Sequence, residues 1–378
     1  MAQLWRRWHR RWHGSVLAAL RSSRWPVEAL ADRQQPALSR VYGWIIEHTR
    51  RREASHAQRV APRRVPVLSV GNVTFGATGK TPFVQFLVDY VLKNGGGDRV
   101  PLLLSRGYGD DEWRMLAKQF PRCELALGGD RLAVGRAKVK ELGGDAAPLS
   151  CVVLDDGLQQ WRLVKDLEIV MVDALHPLGN GLLLPCGSLR ELPREALDRA
   201  DVVVVHHADA LEEEQTRALL TGLRALMNPH RSPIVATSRM KVVRLVPATQ
   251  LLSGSRGGDA ERVCLDGRAA LVVCGVGNPE SVKLVVQKVA RWAHTELKAF
   301  PDHHAFCEGD ASDVVSWVSE LEADGHAVVV VTTEKDFARS PVVMESLAER
   351  VDLRALQCEL ELMHNGEQVK QRIDSLLG

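Results

Sequence analysis

From Val65 onward the apolar positions fall in short, nearly unalternating runs: Val65–Val70, Val100–Leu104, Cys151–Leu154, Leu167–Val172 and Val202–Val205. Strands of a parallel sheet, covered on both faces, carry that pattern, whereas a half-solvated strand alternates. Between the runs, residues 82–94, 130–142 and 211–227 have helical spacing and would supply the crossovers. A boundary near residue 240 precedes the polar, glycine-rich stretch Ser253-Gly254-Ser255-Arg256-Gly257-Gly258-Asp259. A second alternation follows, with strand-like Leu271–Cys274 and Val328–Val331 and helix-like 279–293 and 311–323. The pattern predicts an α/β protein: a core with a mostly parallel sheet over 65–240 and a smaller C-terminal α/β domain over 241–378.

Ahead of Val65 the periodicity is that of amphipathic helices. In an extension over 1–35, Leu4, Trp5, Trp8, Trp12 and Val16 recur near helical spacing with Arg6, Arg7, Arg10 and Arg11 between them. Such a segment suits an organelle transit peptide, an interfacial helix with tryptophans at headgroup depth, or a disordered arm. Over 36–64, Leu38, Val41, Tyr42 and Ile45 share a face ahead of Arg50-Arg51-Arg52. That helix could pack on the core or, with Trp44 beside it, touch a membrane surface. No run of 18 apolar residues exists, so no helix spans a bilayer.

Charge changes the picture at one end only. The chain of 378 residues carries a formal +2, yet residues 1–64 hold 14 Arg and 4 acids, a balance of +10 that leaves −8 elsewhere. A basic arm of this kind points to an anionic membrane, an import signal or nucleic acid. No other feature supports nucleic acid, which is not an expected partner. The seven cysteines are dispersed without a C-x-x-C pair, as reduced thiols in a reducing compartment are.

Candidate chemistry begins at Ser69–Pro82, S-V-G-N-V-T-F-G-A-T-G-K-T-P, between a strand and a helix. Gly79-Lys80-Thr81 is a phosphate-binding ending: backbone N–H groups face the anion, Lys80 reaches the terminal phosphates and the Thr81 hydroxyl holds Mg²⁺. Thr74 stands where a strict Walker A motif has glycine, so this is a variant P-loop. Asp155-Asp156 closes the apolar run Ser150–Leu154, where an acid at a parallel strand's C-terminal end holds the Mg²⁺ of a bound nucleotide. Ser105-Arg106-Gly107-Tyr108-Gly109-Asp110-Asp111-Glu112 offers carboxylates for an attacking hydroxyl and an arginine for phosphate charge. The apolar, glycine-rich loop Leu175–Leu192 ends in candidates Arg190 and Glu191 and suggests an apolar substrate. His303 and His304 in Pro301–Phe306 read as a structural pair or as a general base. Val329–Asp336 reads as a strand with a charged structural cap.

Together these motifs resemble the tetraacyldisaccharide 4′-kinases, the lipid A 4′-kinases. The family's V-G-N-x-T-x-G-G-x-G-K-T-P is similar to Val70–Pro82, S-R-G-Y-G to Ser105–Gly109 and G-D-E-P to Asp110–Trp113. Its D-D-G-x-Q-H-x-x-L is similar to Asp155–Leu163, G-N-G-x-x-L-P-x-G-x-L-R-E to Gly179–Glu191, G-I-G-x-P to Gly275–Pro279, D-H-x-x-[FY] to Asp302–Phe306 and T-E-K-D to Thr333–Asp336. The resemblance covers the chain from about residue 36 onward. It implies a P-loop kinase core and transfer of the ATP γ-phosphoryl group to the 4′-hydroxyl of a lipid A disaccharide precursor, with Mg²⁺. By position, Asp111 matches the catalytic acid and His303 its partner, supplied by the C-terminal domain across a cleft. Asn72, Thr74, Gly76, Thr78, Gly79, Lys80 and Thr81 would hold the nucleotide. Thr81, Asp155, Asp156 and Glu191 would lie at the metal, and Arg106, Arg131, Gln159 and Arg190 would touch substrate or phosphates. A lipid substrate implies a peripheral enzyme on a membrane surface, reached through the N-terminal basic region. The added basic residues favour a mitochondrial location, as in plant-like members, over the cytoplasmic face of a bacterial inner membrane.

Several positions depart from the family pattern. Ala77 replaces a glycine, which is tolerable only at negative φ. Asp110 and Trp113 replace Gly and Pro, leaving either Asp110 or Asp111 as base. Gln160 replaces a histidine, and the linker from Tyr108 to Asp111 is short. A membrane-tethered P-loop ATPase switch, acting through partner binding, is the competing function.

Overall fold

The computed structural model describes residues 27–95, 97–107, 116–253 and 264–377. The basic amphipathic helix expected over the first 26 residues and both candidate bases, Asp110 and Asp111, lie outside them, as does most of the glycine-rich loop. The described chain forms two compact units. The first takes residues up to Arg106, 120–239 and 362 onward; the second takes 107–119 and 240–361.

The first unit is built on seven strands: β1 (Val67–Asn72), β2 (Val100–Ser105), β3 (Glu124–Leu127), β4 (Leu149–Asp155), β5 (Leu167–Asp173), β6 (Val202–His206) and β7 (Ile234–Pro247), the last contributing its residues up to Arg239. Their order is β3-β2-β4-β1-β5-β6-β7, with every pairing parallel. The runs without alternation are explained by burial along the whole of β1, β5 and β6. One core gathers Val67, Leu102, Leu104, Val152 and Leu154 against Leu132 and Val139 of the helix Arg131–Glu141. A second gathers Val170, Val172, Val203 and Val205 against Leu219 and Leu223 of the helix Glu213–Ala225. β1 is central, with β4 on one side and β5 on the other, so the chain reverses direction across the sheet there. Ligands of open parallel sheets collect at that reversal, beyond the strands' carboxyl ends.

The second unit has the parallel order β11 (Leu353–Leu362), β10 (Val328–Thr333), β8 (Ala269–Cys274), β9 (His294–Ala299). Alternate residues of β8 and β10 divide between two cores: Leu271, Val273, Val328 and Val330 in one, Ala270, Val272, Val329 and Val331 in the other.

The periodicity did not reveal β3 and β9, both short, partly exposed edge strands with weak apolar patterns. The helix expected over 279–293 stops at Gln287. The expected 241–378 domain also changes at its end, because the terminal helix Gly366–Leu377 returns to the first unit. Met363 N donates to Thr237 O at 2.8 Å, Asn365 Nδ2 to Val235 O at 2.8 Å, and Tyr90 Oη to Asp374 at 2.9 Å.

The helix Ala37–Ala54 is seated through Ser39 and Tyr42. Ser39 is buried and donates to Leu183 O at 2.7 Å, and Tyr42 donates to Arg190 O at 3.0 Å. Tyr42 therefore leaves the expected apolar face. Leu38, Val41, Trp44 and Ile45 point outward, 49–68% exposed.

Candidate active site

β1 ends at Asn72, and the next seven residues turn back over it. Gly76 and Gly79 have φ of +118° and +84°, which L-residues rarely adopt, while Ala77 is not among the positive-φ residues. The family's glycine is dispensable at that position for this reason. Fully buried Asn72 organises the turn: its Nδ2 donates to Thr74 O at 2.6 Å and Thr78 Oγ1 at 2.9 Å. Its Oδ1 accepts from Lys80 Nζ at 2.9 Å. Gly79 caps the helix Lys80–Asn94 without a side-chain bond, so the first-turn N–H groups, Thr81 among them, remain for an anion.

The turn after β4 is pressed against this strand. Gly157 N donates to Val70 O at 3.0 Å, and a Cβ on Gly71 would lie 2.5 Å from Leu158 Cβ. Asp156 takes a left-handed φ of 53°. Its Oδ1 accepts from Arg190 Nη1 at 2.7 Å and lies 3.6 Å from Lys80 Nζ. Asp155 Oδ2 accepts from Ser105 Oγ at 2.9 Å. Gln159 Nε2 donates to Asn72 O at 3.2 Å and Glu191 Oε1 at 2.9 Å, and its Oε1 accepts from Arg190 at 3.2 Å.

The loop from Leu175 to Leu192 braces the P-loop from outside. Phe75 N donates to Ser188 O at 2.7 Å, Arg190 N to Val73 O at 2.8 Å, and Arg190 stacks over the Phe75 ring at 4.4 Å. Two expectations change here. The loop's Leu178, Leu183 and Leu189 are buried, so the core it packs into accounts for its apolarity. Glu191, buried, gives one oxygen to Gln159 and the other to Arg199 at 2.7 Å. It stands behind the site, orienting Gln159, instead of lying open to a metal.

The electrostatics follow from these contacts. Burial lowers the Lys80 ammonium from its ordinary value, against the pull of Asp156. Burial alone would raise the Asp156 carboxyl, but the charges of Lys80, Arg190 and Arg131 outweigh it and hold the acid below its usual range. Buried Arg131, lowered chiefly by burial, feels Asp156, Asp155 and exposed Arg106. The Nε atoms of Arg131 and Arg190 are buried without hydrogen-bond partners, unmet donors of the kind a phosphate oxygen satisfies. Asp155 and Asp156 at the end of β4, with the Thr81 hydroxyl on the first turn of the P-loop helix, offer oxygen donors only, and the described residues hold no group of three or more His, Cys, Asp or Glu. Mg²⁺ fits such a set, since it takes one or two carboxylates and completes its shell with substrate phosphates and water.

His303 belongs to the second unit. It sits half-exposed at φ 59°, with its N–H donating to Gly275 O at 3.1 Å and to Asp302 Oδ1 at 3.0 Å. Arg339 Nη1 secures that loop by reaching Gly275 O at 3.3 Å, His304 O at 3.4 Å and Asp336 Oδ1 at 3.1 Å. The charged stretch Thr333–Asp336 is thus tied to the histidine loop.

Sequence reasoning missed His206. It ends β6 with its ring against Gly79 and its Nδ1 2.9 Å from Ser238 Oγ, while His207 lies 3.2 Å from Asp173. Burial, with His207 beside it, keeps His206 neutral far below the usual imidazole range. Polar residues closing an all-valine run were the available signal, as they were for Asp155.

The sequence model described as tetraacyldisaccharide-1-P 4′-kinase matches residues 36–113 and 109–378. The chain belongs to the tetraacyldisaccharide 4′-kinase family. A family member from Anaeromyxobacter dehalogenans is 34% identical over 336 residues, 82% of each chain. An Arabidopsis thaliana protein named "Probable tetraacyldisaccharide 4′-kinase, mitochondrial" is 32% identical over 311 residues, 75% of this chain and 74% of its own. A crystal structure of the Aquifex aeolicus family member LpxK, in complex with ATP, superposes with a TM-score of 0.57 at 21% identity. It covers 90% of this chain and 98% of that one, and it supports the fold.

Proposed function

We propose that this family member transfers the γ-phosphoryl group of ATP to the 4′-hydroxyl of a tetraacyldisaccharide 1-phosphate, the lipid A precursor. The observation that carries the reading is the meeting of the P-loop lysine, Asp156 and Arg190 within 3.6 Å at the carboxyl ends of β1 and β4. Phosphoryl transfer needs positioning and charge compensation more than covalent chemistry. Lys80 and the N–H groups of the first helical turn bind the phosphates, and Arg190 and Arg131 add positive charge beside them. Thr81, Asp155 and Asp156 are the residues that would hold Mg²⁺. When bound, the ion neutralises the charge that develops on the β- and γ-phosphates. Arg106 and Gln159 contact phosphates or the sugar.

In the transfer, the bond from the 4′-oxygen to Pγ forms while the bond from Pγ to the β,γ-bridging oxygen breaks, and ADP leaves. Asp111 takes the hydroxyl proton, and His303 tunes and orients that carboxylate. The enzyme works at a membrane surface. The outward Leu38, Val41, Trp44 and Ile45, with exposed Arg40, Arg51 and Arg52 on the same helix, give it an apolar face with basic flanks. The acid-free arginine-rich N-terminus supports a mitochondrial location, and so does the plant relative's name. Mass spectrometry of the mature N-terminus in fractionated cells tests the location, and recovery only in a non-organellar fraction refutes it.

Incubation with γ-labelled ATP, Mg²⁺ and a tetraacyldisaccharide 1-phosphate tests the activity. Labelled bisphosphorylated lipid is expected. Nucleotide turnover that needs a protein partner and never labels lipid would instead identify an ATPase switch.

A further inference from the structure

One buried charge cluster in the first unit has no part in the chemistry above. Lys165 and Glu168 are 10% and 7% exposed at the side chain and are paired at 2.5 Å. Glu168 lies on β5 directly beside Ser69 of β1, the strand that feeds the P-loop. Ser69 Oγ, itself fully buried, donates to Glu168 Oε1 at 2.5 Å. Lys165 Nζ donates to Glu168 Oε2, to Gly157 O at 2.5 Å and to Leu158 O at 3.3 Å. An ammonium has three protons, and this one has three acceptors.

Two of those acceptors are the consecutive carbonyls that follow Asp156. The aspartate holds its left-handed φ of 53° directly before them. On the other side of the turn, a Cβ on Gly157 would collide with Ser69 Oγ, so the turn has no slack toward β1. Left-handed backbone at a non-glycine residue costs energy and persists only where surroundings over-determine it. Burying an ion pair inside a valine-rich sheet is likewise a poor route to stability. Its evident product is a fixed turn.

We infer that Lys165, held by Glu168 and Ser69, is a positioning residue that locks the Asp155–Asp156 turn so that Asp156 faces Lys80 and Arg190. The inference rests on the reading of these aspartates as serving nucleotide and Mg²⁺. Lys165 touches neither substrate nor phosphate; it acts through the backbone of Gly157 and Leu158.

The test uses the full chain, with kcat, the Mg²⁺ concentration for half-maximal rate, Mg·ATP affinity by calorimetry, and the unfolding midpoint. Lys165→Met strands a buried carboxylate and lowers both stability and kcat. Lys165→Met/Glu168→Leu removes both charges, a change that commonly leaves stability near the starting value. With the midpoint restored, kcat stays at least tenfold down and the Mg²⁺ requirement at least fivefold up. A double variant with wild-type midpoint, kcat and Mg²⁺ requirement would overturn the inference, because the pair would then be structural only.

If the double variant does not fold, Lys165→Arg decides. Arginine keeps the charge pair, but its larger, planar fork fixes its donors in one plane and does not reproduce the compact ammonium's reach to Glu168 and both carbonyls. A kcat at least tenfold down supports the lock, and one within twofold of wild type refutes it. Wild-type protein that makes no phosphorylated lipid refutes the kinase reading alone. Mg·ATP affinity then judges the lock: at least fivefold weaker in the variants supports it, and unchanged refutes it.

Discussion

Gly79→Ala tests the P-loop geometry at its tightest point. The residue sits at φ +84°, where an L side chain costs about 1–2 kcal/mol. Its new Cβ would also meet the buried His206 ring, at 2.7 Å from Cγ and closer still to Cδ2. His206 cannot swing away, being held by Ser238 and packed against His207 at a 4.0 Å ring separation. Overpacking of this kind adds about 1–3 kcal/mol. A total near 3 kcal/mol lowers the unfolding midpoint by about 6–12 °C at 2–4 °C per kcal/mol. The two contributions separate in a double-mutant cycle. His206→Ala removes the ring, so Gly79→Ala in that background retains only the backbone cost. The cycle should return a favourable coupling of about 1–3 kcal/mol. Midpoints read by circular dichroism in all four proteins suffice. Additivity within about 0.5 kcal/mol refutes the contact, and a Gly79→Ala protein as stable as wild type refutes the positive φ as well.

Other outcomes follow from the same geometry. Asp111→Ala should cut turnover at least a hundredfold with ATP affinity within threefold, as loss of a general base does; if Asp110→Ala has that effect instead, the base is the preceding residue. His206 is held neutral, with its folded pKa well below the ordinary 6.5. Stability is therefore full above pH 6.5 and falls as the unfolded state gains a proton below it, by up to about 1.4 kcal/mol per pH unit. Thermal melts of wild type and His206→Asn between pH 7.5 and 5.5 should diverge below pH 6.5, and parallel curves contradict the buried neutral ring. Trp44→Ser/Leu38→Ser should weaken binding to anionic vesicles at least tenfold with no loss of midpoint, because both side chains already face water; unchanged vesicle binding removes this helix from membrane contact.

The parallel architecture was legible because its strands are buried on both faces, and that burial writes itself as unbroken valine and leucine. Edge strands β3 and β9 escaped for the converse reason: Glu124–Leu127 and His294–Ala299 leave much of their surface to water. The P-loop, the aspartate pair and Arg190 were readable as motifs, since phosphate chemistry restricts residue type and spacing. Their mutual contacts were not. Tyr42 turned inward because its hydroxyl found Arg190 O, a partner 148 positions away. Glu191 became a buried anchor because Arg199 lay one helical approach further on. Lys165 and His206 carry no motif, and only the fold brings Lys165 to the turn after Asp156 and the His206 ring against Gly79.

The most direct test of the central claim is the position of the transferred phosphate. The full-length protein, γ-labelled ATP, Mg²⁺ and a tetraacyldisaccharide 1-phosphate are incubated, and the lipid product is mapped by mass spectrometry and phosphorus NMR. A single new phosphomonoester on the 4′-oxygen, lost in Lys80→Met and in Asp111→Ala, is the predicted result. ATP consumed with every lipid hydroxyl left free would contradict it.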